Sequence, residues 1–293
     1  MTHHHFQQIN VFSAAPYMGN PLAVIHNADT LSLNTMQQIA RWCNLSETAF
    51  LLNPKHPHAD YRVRIFTQNG TELAFAGHPT LGACHAWLQN GGKPHHPQHI
   101  VQECGAGLIT IRQTGHTYRC FAAPELTHCD IPPEQLTHIT RALNLKPQQI
   151  ISSQRLSNTR HYHALKLDSA QSVLNAIPDL HALAQAQINL GIIGPYAPPL
   201  SQQPDTAQVN TPDFEVRYFA PAAGVSEDPI TGNLNGALAQ WLIATRQAPL
   251  NYTAAQGTIL NRAGRVYIHH DPATQLTWVG GDTQTCTQGT ITI

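Results

Sequence analysis

An acidic loop runs directly into an apolar helix at residues 226–242, which read SEDPITGNLNGALAQWL. Glu227 and Asp228 precede Pro229, and a Thr-Gly-Asn turn then leads into the helix. Such a loop places carboxylates beside the free backbone N–H groups of a helix N-terminus, so it can hold both a proton-handling group and an anion. An ordinary helix capped by Thr231 or Asn233 explains the same residues. The stretch alone leaves both interpretations open.

The first half of the chain repeats this pattern of strand, acidic loop, Gly-containing turn and apolar helix. The matching parts are RIF at residues 64–66 with RYF at 217–219, Glu72 with Glu227 and Asp228, Gly77-His78 with Gly232-Asn233, and the letters GA…WL at 82–88 with those at 236–242. The shared order and spacing favour duplication over a chance similarity of two buried helices. Two duplicated lobes can face each other with both helix N-termini converging on a cleft, and that positive pocket suits a carboxylate ligand.

The composition indicates a globular chain with one large or two medium domains. Hydrophobic residues make up 42% of the 293 residues and charged residues only 11%. A formal net charge of −1 argues against nucleic acid or an anionic membrane as a partner. No apolar run approaches the roughly 18 residues that span a membrane, and the N-terminus shows no signal-peptide pattern. The six cysteines are scattered without a C-x-x-C pair, which is typical of reduced thiols in a cytoplasmic protein.

Many of the 19 histidines cluster in three short stretches, at residues 3–5, 56–58 and 95–99. The second and third of these are rich in Pro or Gln, and all three are interpreted as solvated loops. No spacing of the H-E-x-x-H type is present. Surface histidines are therefore favoured over a structural metal site, and no metal is predicted.

The succession of predicted helices and strands, together with the repeat, predicts an α+β chain in two lobes, over residues 1–125 and 126–280, with the boundary near residues 123–132. A first strand is expected over residues 6–12, and Gly19 in the turn after it suits a positive φ. Near the C-terminus, short strands are expected over residues 258–261, 276–280 and 289–293. The Pro-, Gln- and Ser-rich residues 196–213 are expected to form a loop that is free to move.

Two polar residues fall at positions where a helix meets a strand or begins. Glu47 lies between a helix predicted over residues 33–44 and a buried strand, where desolvation would raise its pKa toward that of a general base. Taken in isolation, a solvated loop glutamate is the more frequent alternative. His78 follows Gly77 at the start of a helix that is apolar nearly all round. A capping or core-edge histidine explains it equally well.

Motifs over nearly the whole chain resemble, in order, the PhzF-like family, which is related to phenazine-biosynthesis isomerases. These motifs are GNP at residues 19–21, SETAF at 46–50, AGHPT at 76–80, EDPITGN at 227–233, QG at 256–257 and QG at 288–289. The resemblance implies a diaminopimelate epimerase-like fold, in which each lobe wraps a β-barrel-like sheet around a central helix. It places the active site in the cleft between the lobes and lets the final strand, residues 281–293, complete the first lobe. It also implies an isomerase without a cofactor, usually a homodimer.

The resemblance assigns roles to individual residues of this chain. It makes Glu47 the catalytic acid/base, with His78 and Asp228 assisting. Related racemases carry a cysteine before each Gly at the two helix starts, whereas this chain has Ala76 and Thr231, which favours a single carboxylate that moves the proton. Asn233 stands where phenazine isomerases often have Ser, so the substrate stays open. The implied substrate-binding residues are Asn20, Ser46, Gly77, Gly232 and Asn233.

The leading hypothesis is therefore a cofactor-independent isomerase that moves a proton on a small carboxylate-bearing substrate. The alternative is a non-catalytic protein that binds a small carboxylate in the same cleft. A cysteine-based racemase is a third hypothesis. The nearest thiols in sequence, Cys43 and Cys84, occupy apolar helix positions and are expected in the core.

Overall fold

The computed structural model describes residues 1–114, 117–196 and 211–293. The chain divides into two compact units. The first consists of Met1–Ala123, Ile230–Asn233 and Trp278–Ile293, and the second of Pro124–Pro229 and Leu234–Thr277. Apart from its ends, the loop predicted over residues 196–213 lies outside the described residues.

Strands dominate both units, and each unit has one long buried helix. In the described ranges the helices are α1 (Leu33–Cys43), α2 (Gly77–Gln89), α3 (Pro133–Ala142), α4 (Ala170–Asn175), α5 (Leu180–Gln185) and α6 (Gly232–Ala244). The strands are β1 (His3–Val11), β2 (Asn20–Ile25), β3 (Glu47–Leu52), β4 (Tyr61–Thr67), β5 (Glu72–Leu73), β6 (Ile100–Cys104), β7 (Gly107–Thr114), β8 (Tyr118–Ala122), β9 (Thr127–Cys129), β10 (Ile150–Ser157), β11 (His161–Leu167), β12 (Leu190–Pro195), β13 (Phe214–Phe219), β14 (Asn251–Gln256), β15 (Gly264–Asp271) and β16 (Leu276–Thr292).

The first unit is a closed barrel around α2. Its strands follow the order β1-β2-β3-β4-β6-β7-β8-β16, and β16 returns to pair with β1, which closes the ring. Helix α2 contacts β1, β2, β3, β4, β6 and β8 and is buried continuously from Gly77 to Ala86. Its sequence is small and apolar on nearly every side, as a helix without a solvent face requires.

Helix α1 packs on the outside of this barrel and sets the position at which β3 begins. Ser32 caps its start by accepting a hydrogen bond from the Thr35 N–H, and Asn44 ends it in the left-handed conformation. Met36 and Ala40 bury its apolar face in a cluster with Phe50 and Phe66. Three residues then separate the end of the helix from strand β3, which begins at Glu47.

The second unit repeats the pairing scheme of the first. The pairs β10–β11, β11–β12, β12–β13, β13–β14 and β14–β15 alternate antiparallel, parallel, antiparallel, parallel and antiparallel. The same alternation runs through β1–β2, β2–β3, β3–β4, β4–β6 and β6–β7. Within this unit α6 is buried, with Leu234 against Gly191 of β12 and Asn235 bonded to Gln256 of β14. The predicted α+β fold with two similar lobes is confirmed.

Two predictions about the chain ends were wrong. His3–His5 is not a solvated loop, because these residues form the start of β1 and pair with Thr290–Thr292, leaving His4 buried. The separate strands expected over residues 276–280 and 289–293 are parts of one continuous strand, β16. A polar run interrupts its apolar pattern, but backbone pairing is indifferent to side-chain polarity, and the threonines in this run suit a strand.

Two further local predictions also failed. Residues 258–261 were expected as a strand, but Thr258–Leu260 is a 3₁₀ turn between two left-handed residues, Gly257 and Asn261. Gly19 was expected to supply a positive φ, yet it is absent from the positive-φ glycines of the described chain. It is needed for space, because a Cβ there would lie 2.3 Å from the carbonyl oxygen of Val11.

Candidate active site

Glu47 and His78 meet at the N-terminal end of α2 in the first unit. The Glu47 Oε2 atom lies 3.3 Å from Nδ1 of His78, and the two side chains are only 10% and 3% exposed. Glu47 is held by the β3–β4 ladder, where it stands opposite Thr67, and His78 is the second residue of α2. Two proton-carrying groups are thus brought into contact in a nearly dry environment.

The third group at this point is Asn20, whose Nδ2 atom lies 3.5 Å from the same Nδ1 of His78. That imidazole nitrogen can either donate or accept, depending on the tautomer. When it carries a hydrogen, it can donate to the Glu47 carboxylate. When it does not, it can accept from Asn20 or from a protonated Glu47. The geometry therefore allows a proton to reside on either Glu47 or His78.

Asn20 is held in one orientation by its other contacts. The residue is completely buried, and its Nδ2 donates to the carbonyl oxygen of Ile230 at 2.9 Å. Since a carbonyl oxygen only accepts, the amide nitrogen must face it. The Asn20 Oδ1 then accepts from the hydroxyl of Ser46 at 3.2 Å. Four residues from three separate parts of the sequence, Asn20, Ser46, Glu47 and His78, thereby form one connected group.

The loop that leads into Asn20 is braced by a second buried asparagine. The Asn10 Nδ2 donates to the carbonyl oxygens of Ser13 and Ala15, at 2.9 and 3.0 Å. Its Oδ1 accepts from the Gly19 N–H at 2.6 Å. Because Asn10 ties both ends of the loop to β1, it fixes the position at which β2 begins.

The starts of α2 and α6 touch through two glycines of the first unit. A Cβ on Gly77 would lie 2.8 Å from the backbone nitrogen of Asn233, and a Cβ on Gly232 would lie 3.4 Å from the Gly77 Cα. Only glycine permits this approach. The N-cap residue of α2, Ala76, makes no side-chain cap bond, so no cap side chain competes with an anion for the first N–H groups of that helix.

Asp228 belongs to the second unit and is held there through its backbone. Its N–H donates to the carbonyl oxygen of Tyr218 at 3.0 Å, and its carbonyl accepts from Gln256 Nε2 at 3.2 Å. The residue is 6% exposed. Next to it, Glu227 forms a two-pronged ion pair with Arg217.

Sequence reasoning missed several contributors to this site. The Ile230 carbonyl carries no side-chain signal at all. Phe12 has a φ of 66°, which is rare for a bulky residue, and its buried ring packs against Gly232 and Gly281. In the second unit, the role of Gln256 in holding Asp228 could have been found, since Gln256 belongs to one of the family motifs.

The two thiols considered for a cysteine-based racemase, Cys43 and Cys84, are poorly suited to that chemistry. Burial raises the pKa of the Cys84 thiol to about 12, although Arg119 opposes the shift, and burial also raises the pKa of Cys43. Both are therefore poor nucleophiles near neutral pH. Among the described residues, no group of three or more His, Cys, Asp or Glu side chains is arranged to hold a metal ion. No helix within the described ranges has the length and apolar character to span a membrane.

Comparison with known proteins identifies the family of the chain. The family model described as phenazine biosynthesis-like protein, PhzC-PhzF, matches residues 9–289. Antisense-enhancing sequence 1 of Schizosaccharomyces pombe is 35% identical to this chain, with 99% of each protein covered. The trans-2,3-dihydro-3-hydroxyanthranilate isomerase of Pseudomonas aeruginosa is 32% identical, with 92% of this chain and 91% of that protein covered.

A solved structure agrees with these sequence relationships. The crystal structure of a PhzF family protein from Bacillus anthracis superposes with a TM-score of 0.81, at 20% identity, and all of both chains is covered. That likeness establishes the fold, and the sequence matches establish the family. This chain belongs to the phenazine biosynthesis-like, or PhzC-PhzF, protein family.

Proposed function

We propose that the chain is an isomerase that moves a proton within a small carboxylate-bearing substrate, with Glu47 as the acid/base. The observation that carries the proposal is the 3.3 Å contact between the buried Glu47 carboxylate and His78 Nδ1. General acid/base catalysis uses a positioned side chain that takes up and releases a proton. His78 Nδ1 can form a hydrogen bond with Glu47 in either of its protonation states. The related P. aeruginosa protein is itself named an isomerase.

The reaction we propose needs only residues of the chain. The Glu47 carboxylate removes a proton from a carbon next to an unsaturated system, and the electron pair moves into that system. The protonated Glu47, which can exchange its proton with solvent, then delivers a proton to another carbon of the substrate, so the composition of the molecule is unchanged. During this cycle His78 Nδ1 donates to the carboxylate or accepts from the carboxylic acid.

The substrate carboxylate is assigned to the start of the two long helices. The amides of Gly77-His78 and Gly232-Asn233 lie at helix N-termini, where the helix dipole favours an anion. Asn20 and Ser46 are assigned to orienting the substrate and the Glu47–His78 pair. Asp228 is assigned an assisting role as a proton relay or an orienting group. The homodimer and the cytoplasmic location stay predictions.

The test uses Glu47→Gln, which keeps the shape and removes the base. The probe is trans-2,3-dihydro-3-hydroxyanthranilate together with a panel of small unsaturated amino and hydroxy carboxylates, each incubated in D₂O and followed by NMR. Wild-type protein should shift the double bond and incorporate deuterium in at least one of them. The variant should be slower by roughly 10²–10⁴-fold. Glu134→Gln, on the exposed face of α3, is the matched control and should behave as wild type.

The same assay separates this proposal from the hypothesis of a non-catalytic binding protein. Binding of panel compounds with neither a double-bond shift nor deuterium incorporation would support that alternative. Wild-type turnover in Glu47→Gln would remove Glu47 from its assigned role.

A further inference from the structure

An Arg–Glu ion pair occurs at equivalent places in both units. In the first, Arg64 of β4 binds Glu72 through Nε and Nη2, each at 2.7 Å. In the second, Arg217 of β13 binds Glu227 through Nε and Nη2, each at 2.9 Å. Each Glu stands at the same distance in sequence before the first residue of the long helix. Duplication has therefore preserved a bidentate pair ahead of each helix.

The two pairs differ in their surroundings. The side chains of Arg64 and Glu72 are 26% and 40% exposed, whereas those of Arg217 and Glu227 are 5% and 11% exposed. An exposed pair is screened by water and contributes little. Loss of one partner from a buried pair leaves an uncompensated charge, so the buried pair holds its loop far more firmly.

Arg217 is itself anchored to the frame of the second unit. Its Nη1 donates to the carbonyl oxygens of Val173 and Ala176, at 3.1 and 2.7 Å, where α4 ends. Its guanidinium lies 4.9 Å from the centre of the Phe219 ring. Because these contacts fix the guanidinium in place, its planar fork also fixes the Glu227 carboxylate.

Asp228 follows Glu227 directly, and hydrogen bonds hold both its backbone N–H and its backbone carbonyl. Its N–H bonds to Tyr218, and its carbonyl accepts from Gln256, whose Oε1 accepts from Asn235 Nδ2 of α6 at 2.8 Å. In this way the loop is tied to β13, β14 and α6.

We propose that the buried Arg217–Glu227 pair, with Gln256, positions Asp228 for the reaction. This inference rests on the proposed function, because it presupposes that Asp228 assists Glu47. Arg217, Glu227 and Gln256 are positioning residues that act through Asp228 and do not touch the substrate. The exposed Arg64–Glu72 pair has no such positioning role, and its substitution is therefore the matched control.

The test is a double-mutant cycle with Glu227→Gln and Asp228→Asn, measured with whichever panel compound the wild type isomerises. Glu227→Gln should lower kcat by about 10- to 100-fold, the cost of a catalytic group displaced by about 1 Å, with a smaller change in KM. In the Asp228→Asn background the same change should have almost no further effect on kcat. Glu72→Gln should leave kcat within about twofold of wild type, as an exposed pair predicts.

A second readout does not depend on turnover. Hydrogen exchange at the Asp228 N–H reports opening of its bond to Tyr218. Exchange should be faster in Glu227→Gln and unchanged in Glu72→Gln, with thermal unfolding confirming that both variants are folded. Independent, additive kcat effects or unaltered protection of Asp228 would overturn the inference. Failure of Glu47→Gln to lose activity would instead overturn the proposed function and leave the hydrogen-exchange result standing.

Discussion

The side-chain nitrogen of Asn20 donates to the carbonyl oxygen of Ile230, 2.9 Å away, although 210 positions separate them in the chain. This bond fastens the start of β2 to the residues just before α6, beside the contact between Asn20 and His78. Asn20→Asp keeps the shape but places a second acceptor against the Ile230 carbonyl. We expect the free energy of unfolding to fall by about 1–3 kcal/mol, the cost of a buried unsatisfied group. Urea unfolding measures this change in free energy.

The same substitution should also slow the deuterium-exchange reaction, because the added carboxylate faces His78 and competes with Glu47 for its proton. Asn175→Asp is the control, since that exposed side chain already acts as an acceptor, for Gln171. An Asn20→Asp protein with wild-type stability and turnover would show that the bond has no role in the site.

The contact between the two helix starts yields a second prediction. In Gly77→Ala the new methyl group would lie 2.8 Å from the Asn233 nitrogen and 2.8 Å from Cζ of Phe121. The backbone of Asn233 and the packed ring of Phe121 cannot both move away from the methyl group. We therefore expect the free energy of unfolding to fall by about 1–3 kcal/mol. Gly289→Ala introduces the same methyl group where no atom lies within 4 Å. Its stability should match wild type, and equal losses in the two variants would argue against the close approach.

The duplication could be predicted from the sequence, because the glycines and tryptophans of buried helices keep their spacing even where the surface residues of the two halves differ. The sequence could not predict features that depend on backbone atoms or backbone conformation. No side-chain pattern reveals that the Ile230 carbonyl meets Asn20, or that Phe12 adopts a left-handed conformation. Ile230–Asn233 belongs to the first unit, although the residues on either side of it belong to the second. A domain boundary drawn at one point in the sequence cannot predict this exchange. Such contacts depend on tertiary packing.

Backbone pairing also overrode local composition at the termini. The histidines of His3–His5 read as polar loop residues, yet a ladder partner in β16 makes them a strand. The threonine-rich end of β16 has little apolar periodicity, and its strand character depends on β1 beside it.

A buried histidine of α2, inside the barrel, gives the third prediction. His85 bonds through Nδ1 to Thr283 at 3.0 Å and through Nε2 to Thr285 at 2.9 Å, and Arg119 Nη1 lies 3.2 Å from Nδ1. Burial, aided by the charge of Arg119, lowers the pKa of His85 to about 4. His26 is also buried, and its pKa is likewise lowered to about 4, by burial and then by His5.

Between pH 6.5 and about 4 the unfolded chain therefore binds protons at these histidines that the folded chain does not. The free energy of unfolding then rises with pH. The contribution of these histidines is fully present above about pH 6.5 and is lost as the pH falls toward 4. The His85 share is at most ~3 kcal/mol, at 1.36 kcal/mol for each pH unit. Urea unfolding at several pH values should show a flatter dependence for His85→Gln, which keeps polar contacts without titrating. The exposed His58→Gln should follow the wild-type curve, and a His85→Gln curve with the same slope as wild type would refute the assignment.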